Sequence, residues 1–545
     1  MIENRTTKKV AIACQGGGVH AAFAAGVLKE ILNKIKGEPD YEIVALSGTS
    51  GGAICAYLAW YALLGDDEQE AIELLNTFWK KDNSVHFPEE AWVMNSSARM
   101  MNRFLENVGS ASPFFWAPLV NPHNFPKSSA SFPLIRSPDY WQDQLREMIC
   151  NRVNEKDIEE RVKSSKKEQV TPPDLGPMLY IGAANPRTGE FQVFRSHKPY
   201  TNDQPHAKAE RSKPLAFNRS PNDGISVEAV LASAAIPTLF KAMHTGRAVY
   251  WHTPQPQDPR PRVEEGVYWD GLYSSNPPIH ELAELYPDEI WVIQINPEEI
   301  YEVPKETENI EDRRNELSGN LSLNQELRFV RKTNELIRRY DLPKNPVKVR
   351  RIELTRPLNY FSKLDRDADC IHQLMDDDGP KEATPFLEAL DALSPFEQAW
   401  EEALRRWKEA QRQDEYQRKK VVDDVVNFFT DEATIKLIPP DGSSVSEQSY
   451  MGKQEGQKSM LVAVRRCLEG NFSLEQARYY RVNGKEICWW MLFSSNRFDF
   501  PLKGLAKVEL SDHKIKCFAF YPMEIKMLEE LEPAEGTQWT AKAGR

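Results

Sequence analysis

Twice near its start this chain drives a short apolar run into a knot of glycines and then straight into an apolar helix: VAIAC-QGGG-VHAAFAAGVL over residues 10–28 and EIVAL-SGTSGG-AICAYLAWYALL over residues 42–64. No other feature narrows the fold as much. Strands that are apolar at consecutive positions bury both faces, and a strand–helix–strand order requires a crossover, so the two units predict a parallel sheet covered by helices on both sides. The first helix is expected over 19–34, where Phe23, Val27, Leu28, Ile31 and Leu32 recur at helical spacing, and the second over 53–64. Further apolar strands are expected at 178–183, 191–195, 267–269 and 289–295. The stretches 163–177, 202–223 and 252–265, rich in Pro, Lys, Asn and Asp, read as surface loops.

From 306 to about 412 the pattern turns helical and heavily charged, with runs such as RRNELSGNLSLNQELRFVRKTNELIRRY and EQAWEEALRRWKEAQRQ. The second run ends near Gln413 and reads as a linking helix. Beyond it a helix over 414–429, a strand near 434–438, a helix near 458–468 and alternating segments at 477–482, 486–493 and 506–521 predict a second, α+β domain. The expected organisation is therefore a first domain over 1–395, a linking helix over 396–413, a second domain over 414–525 and a tail over 526–545. At 545 residues, 41% hydrophobic and 28% charged, the chain has material for two or three globular domains. A net charge of −12 argues against nucleic acid as a partner.

Seven scattered cysteines without a CxxC pair predict reduced, mostly buried thiols in a reducing, cytoplasmic setting. The apolar run 10–14 is too short for the roughly 7 to 15 residues of a signal-peptide core. The longest apolar run, 53–64, falls short of the roughly 20 residues of a membrane span. A soluble protein, or one peripheral at a membrane, is expected.

A strand, a tight Gly48-Thr49-Ser50-Gly51-Gly52 turn and a helix form the pattern of a nucleophile elbow. The helix start would aim backbone N–H groups and the positive end of its dipole at chemistry on Ser50, and Gly48, Gly51 and Gly52 would permit the sharp turn. A lone G-x-S-x-G is a weak signal. Gly16, Gly17 and Gly18 strengthen it, because they end the neighbouring strand and would place an oxyanion loop at the same sheet edge. A nucleotide phosphate loop is the competing reading, but GGGVHAAF matches neither the dinucleotide fingerprint nor a Walker loop. For a base, His280, His372 and His513 lie in a helix start, a helical pattern and a hairpin, where structural roles are expected. Asp270, which closes the strand in VYWDGLYSSNPP, is the better candidate, although an Asp-Gly pair by itself is an ordinary turn.

The motifs QGGGVHAAFAAGVL, SGTSGG, ASAAIPTLF and DGLYSSNPP occur in one order, and over residues 8–395 the chain resembles the patatin-like phospholipase family. The resemblance implies a three-layer α/β/α domain with a mainly parallel sheet and a lipid acyl hydrolase. It implies a Ser50–Asp270 dyad without histidine, an oxyanion loop at Gly16, Gly17 and Gly18, and an acyl-serine intermediate. Two departures stand out. His20 occupies the place where the family commonly has Arg or Lys, which leaves the charge beside the glycine loop open, and Leu272 replaces a small residue after Asp270-Gly271. An apolar acyl-channel wall or membrane-docking lid is weighed against plain packing for 85–138, with Phe87, Trp92, Met94, Met100, Met101, Phe104, Phe114, Phe115, Trp116, Phe125 and Phe132. Residues 414–525 more weakly resemble the cone-shaped SnoaL-like folds, which implies a binding or homodimerisation module, with Trp489 and Trp490 in its sheet core. No cofactor and no metal are expected, since no EF-hand-like loop is present. The partner expected is a lipid, with membrane contact allowed for. A non-catalytic lipid-binding or scaffolding role, and a short-chain esterase or thioesterase, stay open as alternatives.

Overall fold

The structure is a computed structural model. It describes residues 7–36, 40–85, 138–164, 176–196, 225–237, 240–250, 262–300, 302–305, 307–340, 342–356, 358, 363, 365–409, 415–437, 448–451, 460–469, 472–482, 486–495, 502–511 and 514–522. The aromatic and methionine residues expected to form an acyl-channel wall, Phe87 to Phe132, lie outside the described residues, as do His513 and the tail. The chain divides into two compact units, Met1–Val347 with Ile352–Ala383, and Lys348–Arg351 with Thr384–Arg545.

In the first unit the strands are β1 (Lys8–Cys14), β2 (Tyr41–Gly48), β3 (Met178–Ala184), β4 (Phe191–Arg195), β5 (Met243–Tyr250), β6 (Arg262–Asp270) and β7 (Glu289–Gln294). They are ordered β7-β1-β2-β3-β6-β5, with β4 also on β3. The neighbours β7, β1, β2 and β3 run parallel, whereas β4 and β6 lie antiparallel to β3 and β5 antiparallel to β6. The expected mainly parallel, three-layer arrangement holds, and its physical sign is burial. Every residue of β3 and β7 is buried, as is β1 from Val10 onward, which requires cover on both faces.

The helices of this unit are α1 (Ala21–Ile35), α2 (Gly51–Leu63), α3 (Glu68–Thr77), α4 (Pro138–Cys150), α5 (Glu155–Ser164), α6 (Val227–Ser233), α7 (His280–Ala283), α8 (Thr307–Arg339) and α9 (Ala368–His372), of which α1, α2, α6 and α7 lie against the strands. Between β1 and α1 the chain takes a 3-10 turn, Gly18–His20, so that helix begins later than its periodicity suggests. Helix α2 begins earlier, at Gly51, directly after Ser50, and all of its residues are buried. An all-apolar helix of this kind belongs in the core. Strand β5 gave no readable pattern in the sequence.

The stretch 306–412, expected to be helical, contains strand β8 (Lys348–Glu353). Its charged sequence hides a buried strand: Arg350 is 1% exposed and reaches Glu397 with two hydrogen bonds of 3.1 and 2.6 Å. A buried charge is tolerated because it is paired in this bidentate way.

The second unit takes up helix α10 (Gly379–Glu409) from Thr384 onward, then α11 (Glu415–Val426), whose Val421, Val422, Val425 and Val426 are buried, and later α12 (Met460–Glu469). Strands β9 (Phe429–Leu437), β10 (Gln448–Met451), β11 (Phe472–Val482), β12 (Glu486–Ser495), β13 (Leu502–Ser511) and β14 (Lys514–Pro522) are ordered β10-β9-β14-β13-β12-β11. The last four in sequence form an antiparallel meander. Phe396 packs against Phe428 and Phe429. Trp489 and Trp490 lie on β12, but their side chains are outside the described set. Among the described cysteines only Cys14 and Cys55 are buried, and Cys150 is exposed, against the expectation of mostly buried thiols; none is in a disulfide. No helix among the described residues is long and apolar enough to cross a membrane.

Candidate active site

Register brings three strand ends to one edge of the first sheet. Gly48 pairs with Cys14 on one side and with Ile181 on the other, and Asp270 pairs with Ala183 on the same strand β3. The glycine loop after β1, the turn after β2 and the end of β6 therefore lie side by side. Strand β6 touches β3 only through Trp269 and Asp270, so its last residue is delivered to the edge and the rest runs away from it.

Ser50 has φ 54° and ψ −128° and caps helix α2. This left-handed backbone costs a residue with a side chain about 1 kcal/mol or more. Tertiary hydrogen bonds hold it. The Ser50 N–H donates to Ser233 Oγ at 2.9 Å, whose hydroxyl donates to the Gly182 carbonyl at 2.6 Å, and Thr49 Oγ1 donates to the Ser275 carbonyl at 2.6 Å. A Cβ at Gly48, Gly51 or Gly52 would collide with the backbone oxygens of Gly52, Gly18 and Cys14, respectively. The glycines are there because backbones cross at the turn. Ser50 itself is 6% exposed.

Asp270 is fully buried, and its N–H donates to the Ala235 carbonyl at 2.9 Å. Oδ1 accepts the Leu272 N–H at 2.8 Å, while Oδ2 makes no hydrogen bond of good geometry. Burial pushes the carboxyl up to about 7, against the pull of the Leu272 N–H and the nearby Ser50 hydroxyl. Ser50 and Asp270 thus sit close enough to sense one another. Leu272, the departure from the family pattern, supplies its backbone N–H to the carboxyl, a bond that any non-proline residue could make.

The glycine loop divides in two. Gly16 packs against the serine turn so closely that a Cβ there would lie 2.5 Å from Thr49 O and 2.8 Å from Ser50 Cβ. Its N–H, however, donates to Asn276 Oδ1 at 2.8 Å and is not open to a ligand. The N–H groups of Gly17 and Gly18 make no hydrogen bond among the described residues. Gln15 braces the loop from behind, accepting the N–H groups of Ile295 and Asn296 at 2.9 and 2.8 Å and donating to Asn320 at 3.1 Å. His20 is buried, and burial together with the neighbouring Lys363 and Arg356 charges holds it well below the usual imidazole range. It is neutral near pH 7. The positive charges near the loop are Lys363 and Arg356.

Of the other histidines, His280 opens α7 with its ring against Phe329 and its Nε2 on Glu284, and His372 pairs with Asp376. Neither belongs to the cluster of hydrogen bonds around Ser50. Sequence reasoning missed Ser233, Ala235 and Asn276. The motifs ASAAIP and SSNPP carry them, but nothing local marks which residue of a motif meets which backbone atom. Among the described residues no group of three or more His, Cys, Asp or Glu is placed to hold a metal ion.

Residues 12–283, a span that contains all of these groups up to His280, match the family model described as patatin-like phospholipase. The chain carries a patatin-like phospholipase domain. That membership implies a hydrolase and suggests activity on lipid acyl groups. No curated protein matches the sequence. Among solved structures, VipD from Legionella pneumophila is 11% identical, with 78% of this chain and 80% of that chain covered and a TM-score of 0.23. A phenazine biosynthesis-related protein from Pseudomonas aeruginosa is 15% identical over 27% of this chain and 97% of its own, with a TM-score of 0.16. A de novo designed protein with a curved β-sheet is 11% identical over 25% of this chain and 94% of its own, with a TM-score of 0.17. At these scores none of the three bears on the function of the patatin-like domain.

Proposed function

We propose that the patatin-like domain hydrolyses carboxylic esters of lipids through Ser50 and Asp270. Ser50 Oγ attacks the ester carbonyl carbon and its proton passes to the Asp270 carboxylate. The carbonyl oxygen becomes an oxyanion facing the Gly17 and Gly18 N–H groups. Collapse breaks the ester C–O bond, and Asp270 returns the proton to the leaving alkoxide. Water then attacks the acyl-serine carbonyl carbon with Asp270 again as base; collapse breaks the bond to Ser50 Oγ, Asp270 returns the proton to that oxygen, and a fatty acid leaves. Two hydrogen bonds support this reading: Asn276 accepts the Gly16 N–H beside the two proposed oxyanion donors, and Ser233 accepts the Ser50 N–H.

The observation that carries this reading is the buried carboxyl of Asp270 beside the Ser50 hydroxyl, poised near neutrality. A general base works best with its pKa near the working pH. A structural aspartate at a turn would not need burial without a cation. The second unit is proposed as a binding or homodimerisation module, which sedimentation of the full chain tests.

The test is hydrolysis of a chain-length series of p-nitrophenyl esters and of phospholipid vesicles by the wild type, Ser50→Ala and Asp270→Asn. Long-chain activity lost in both variants, with thermal unfolding unchanged or improved, supports the reading. Preference for the shortest esters would favour a short-chain esterase. An inert wild type that takes up no fluorophosphonate at Ser50 would overturn the catalytic reading in favour of lipid binding.

A further inference from the structure

Helix α8 has two faces that meet different surroundings. Its inner face clamps the segment that follows Asp270. Gly319 lies against Asn276 and Leu272, the Ser322 hydroxyl donates to the Ser274 carbonyl, and Glu326 accepts from the Ser275 hydroxyl at 3.0 Å and the His280 N–H at 2.7 Å. The outer face is neither apolar nor ordinarily polar. Leu317, Leu321 and Leu336 are 44%, 62% and 39% exposed, Phe329 sits at the edge of the face with its ring against His280, and Arg328, Lys332 and Arg339 are exposed along the helix. From Leu317 to Leu336 this face runs for roughly 30 Å at the rise of an α-helix.

No acidic residue between 317 and 340 is exposed: Glu326 is turned inward, and Glu335 pairs with Lys332 at 3.0 Å. Between residues 325 and 340 five basic residues stand against two acidic ones, in a chain whose net charge is −12. A surface helix ordinarily turns charges outward and keeps its leucines inward.

We propose that the outer face of α8 docks the patatin-like domain onto an anionic lipid surface. This deepens the reading above, since it names where the acyl substrate is met. The leucines enter the headgroup layer, and the basic side chains extend along them to reach lipid phosphates. A second copy of the chain fits the face poorly. Two such faces would bring like charges together, and the exposed apolar residues are interrupted by basic ones where a helix seam needs a continuous stripe. Docking through this helix sets the lipid surface against the element that braces Ser274, Ser275 and Asn276, next to the serine turn.

Cosedimentation of the full chain carrying Ser50→Ala, which leaves lipids uncut, tests the proposal with vesicles of phosphatidylcholine alone or mixed with phosphatidylglycerol. The full chain is expected to prefer the anionic vesicles. Arg328→Glu with Arg339→Glu should weaken that binding by about tenfold or more, and Leu317→Glu with Leu321→Glu by a similar factor of about ten. With Ser50 intact, the same four substitutions should leave hydrolysis of a soluble short-chain ester within about twofold of wild type, as exposed positions away from the site do. Failure of the Ser50→Ala chain to bind either vesicle, or equal binding by every variant, overturns the proposal. Self-association that Leu321→Glu abolishes, without vesicle binding, overturns it in favour of a second copy. Variant-sensitive vesicle binding by a chain inert on every ester would leave the docking face standing and sink the catalytic reading.

Discussion

The turn after β1 and the turn after β2 leave neighbouring parallel strands at paired residues, Cys14 and Gly48, and both are rich in glycine. They differ in which residue takes the left-handed backbone. In the first it is Gly18, at φ 60°, and the chain goes through a 3-10 turn before its helix. In the second it is Ser50, at φ 54°, and the helix follows at once. Glycine accepts this conformation freely, whereas serine is strained by it. In the proposed mechanism the strain therefore sits at the residue whose side chain has to be aimed, and the unstrained turn offers only backbone N–H groups.

Making the second turn like the first should have the largest effect. Ser50→Gly is expected to lower ester hydrolysis by at least about ten-thousandfold while raising stability by about 1 kcal/mol, read from kinetics and thermal unfolding together. A loss of stability would mean that the turn is unstrained and the contrast between the two loops is false.

Asp270→Asn, at the strand end both turns face, should cost about a thousandfold in hydrolysis, within the usual range for a positioned base. In the wild type, activity should rise with pH through about 7 as the carboxyl ionises. The stability dependence has the opposite sign. A carboxyl whose folded pKa stands above its unfolded value contributes fully below about 4, and the contribution is lost as pH rises through about 7. Asp270→Asn should therefore gain on the wild type by up to roughly 4 kcal/mol between those limits, measured by urea unfolding at several pH values. A constant difference across pH would place the carboxyl's pKa in the ordinary range.

Gly16→Ala should separate the two turns, because its Cβ meets Thr49 O and the Ser50 side chain. A loss of about a hundredfold in kcat/KM is expected from that misplacement. Gly17→Ala meets the Ile295 Cγ2 methyl at 3.0 Å and no backbone atom among its nearest neighbours, so it should cost less than Gly16→Ala, under about tenfold. Equal losses in both variants would mean that the close approach of the loops is not what matters.

Ser233→Ala should have the smallest effect. It removes the acceptor of the Ser50 N–H and should cost about 1 to 3 kcal/mol of stability with a modest drop in kcat, and Ser233→Thr should restore part of both. No change in either would leave the serine backbone held by the glycine packing alone.

The apolar runs over 10–14, 42–46, 178–183 and 289–295 were enough to read four strands, because a strand buried on both faces needs no alternation and stands out in any context. The glycines of both turns, Ser50 and Asp270 could be placed at strand ends for the same reason. Strand β8 could not be read: its KVRRIE looks solvated until Glu397 is brought to Arg350. Nor could the state of His20, since its neutrality comes from burial beside Lys363 and Arg356, which are more than 300 residues away in the chain.

By itself, then, the sequence determined that the first two strands are parallel, where the backbone must turn sharply, and that an uncharged serine and a carboxylate follow or end two of the strands. These follow from local composition and short periods, which act within one element. The tertiary structure alone decided that β6 arrives antiparallel and touches β3 by two residues, and that Ser233 and Ala235 from one segment hold the backbones of both Ser50 and Asp270. It also decided that Asn276 takes the Gly16 N–H, whereas the Gly17 and Gly18 N–H groups make no hydrogen bond among the described residues. Each is a hydrogen bond between residues distant in the chain, and only packing of the whole sheet chooses such partners, because a backbone N–H or carbonyl carries no mark of its own.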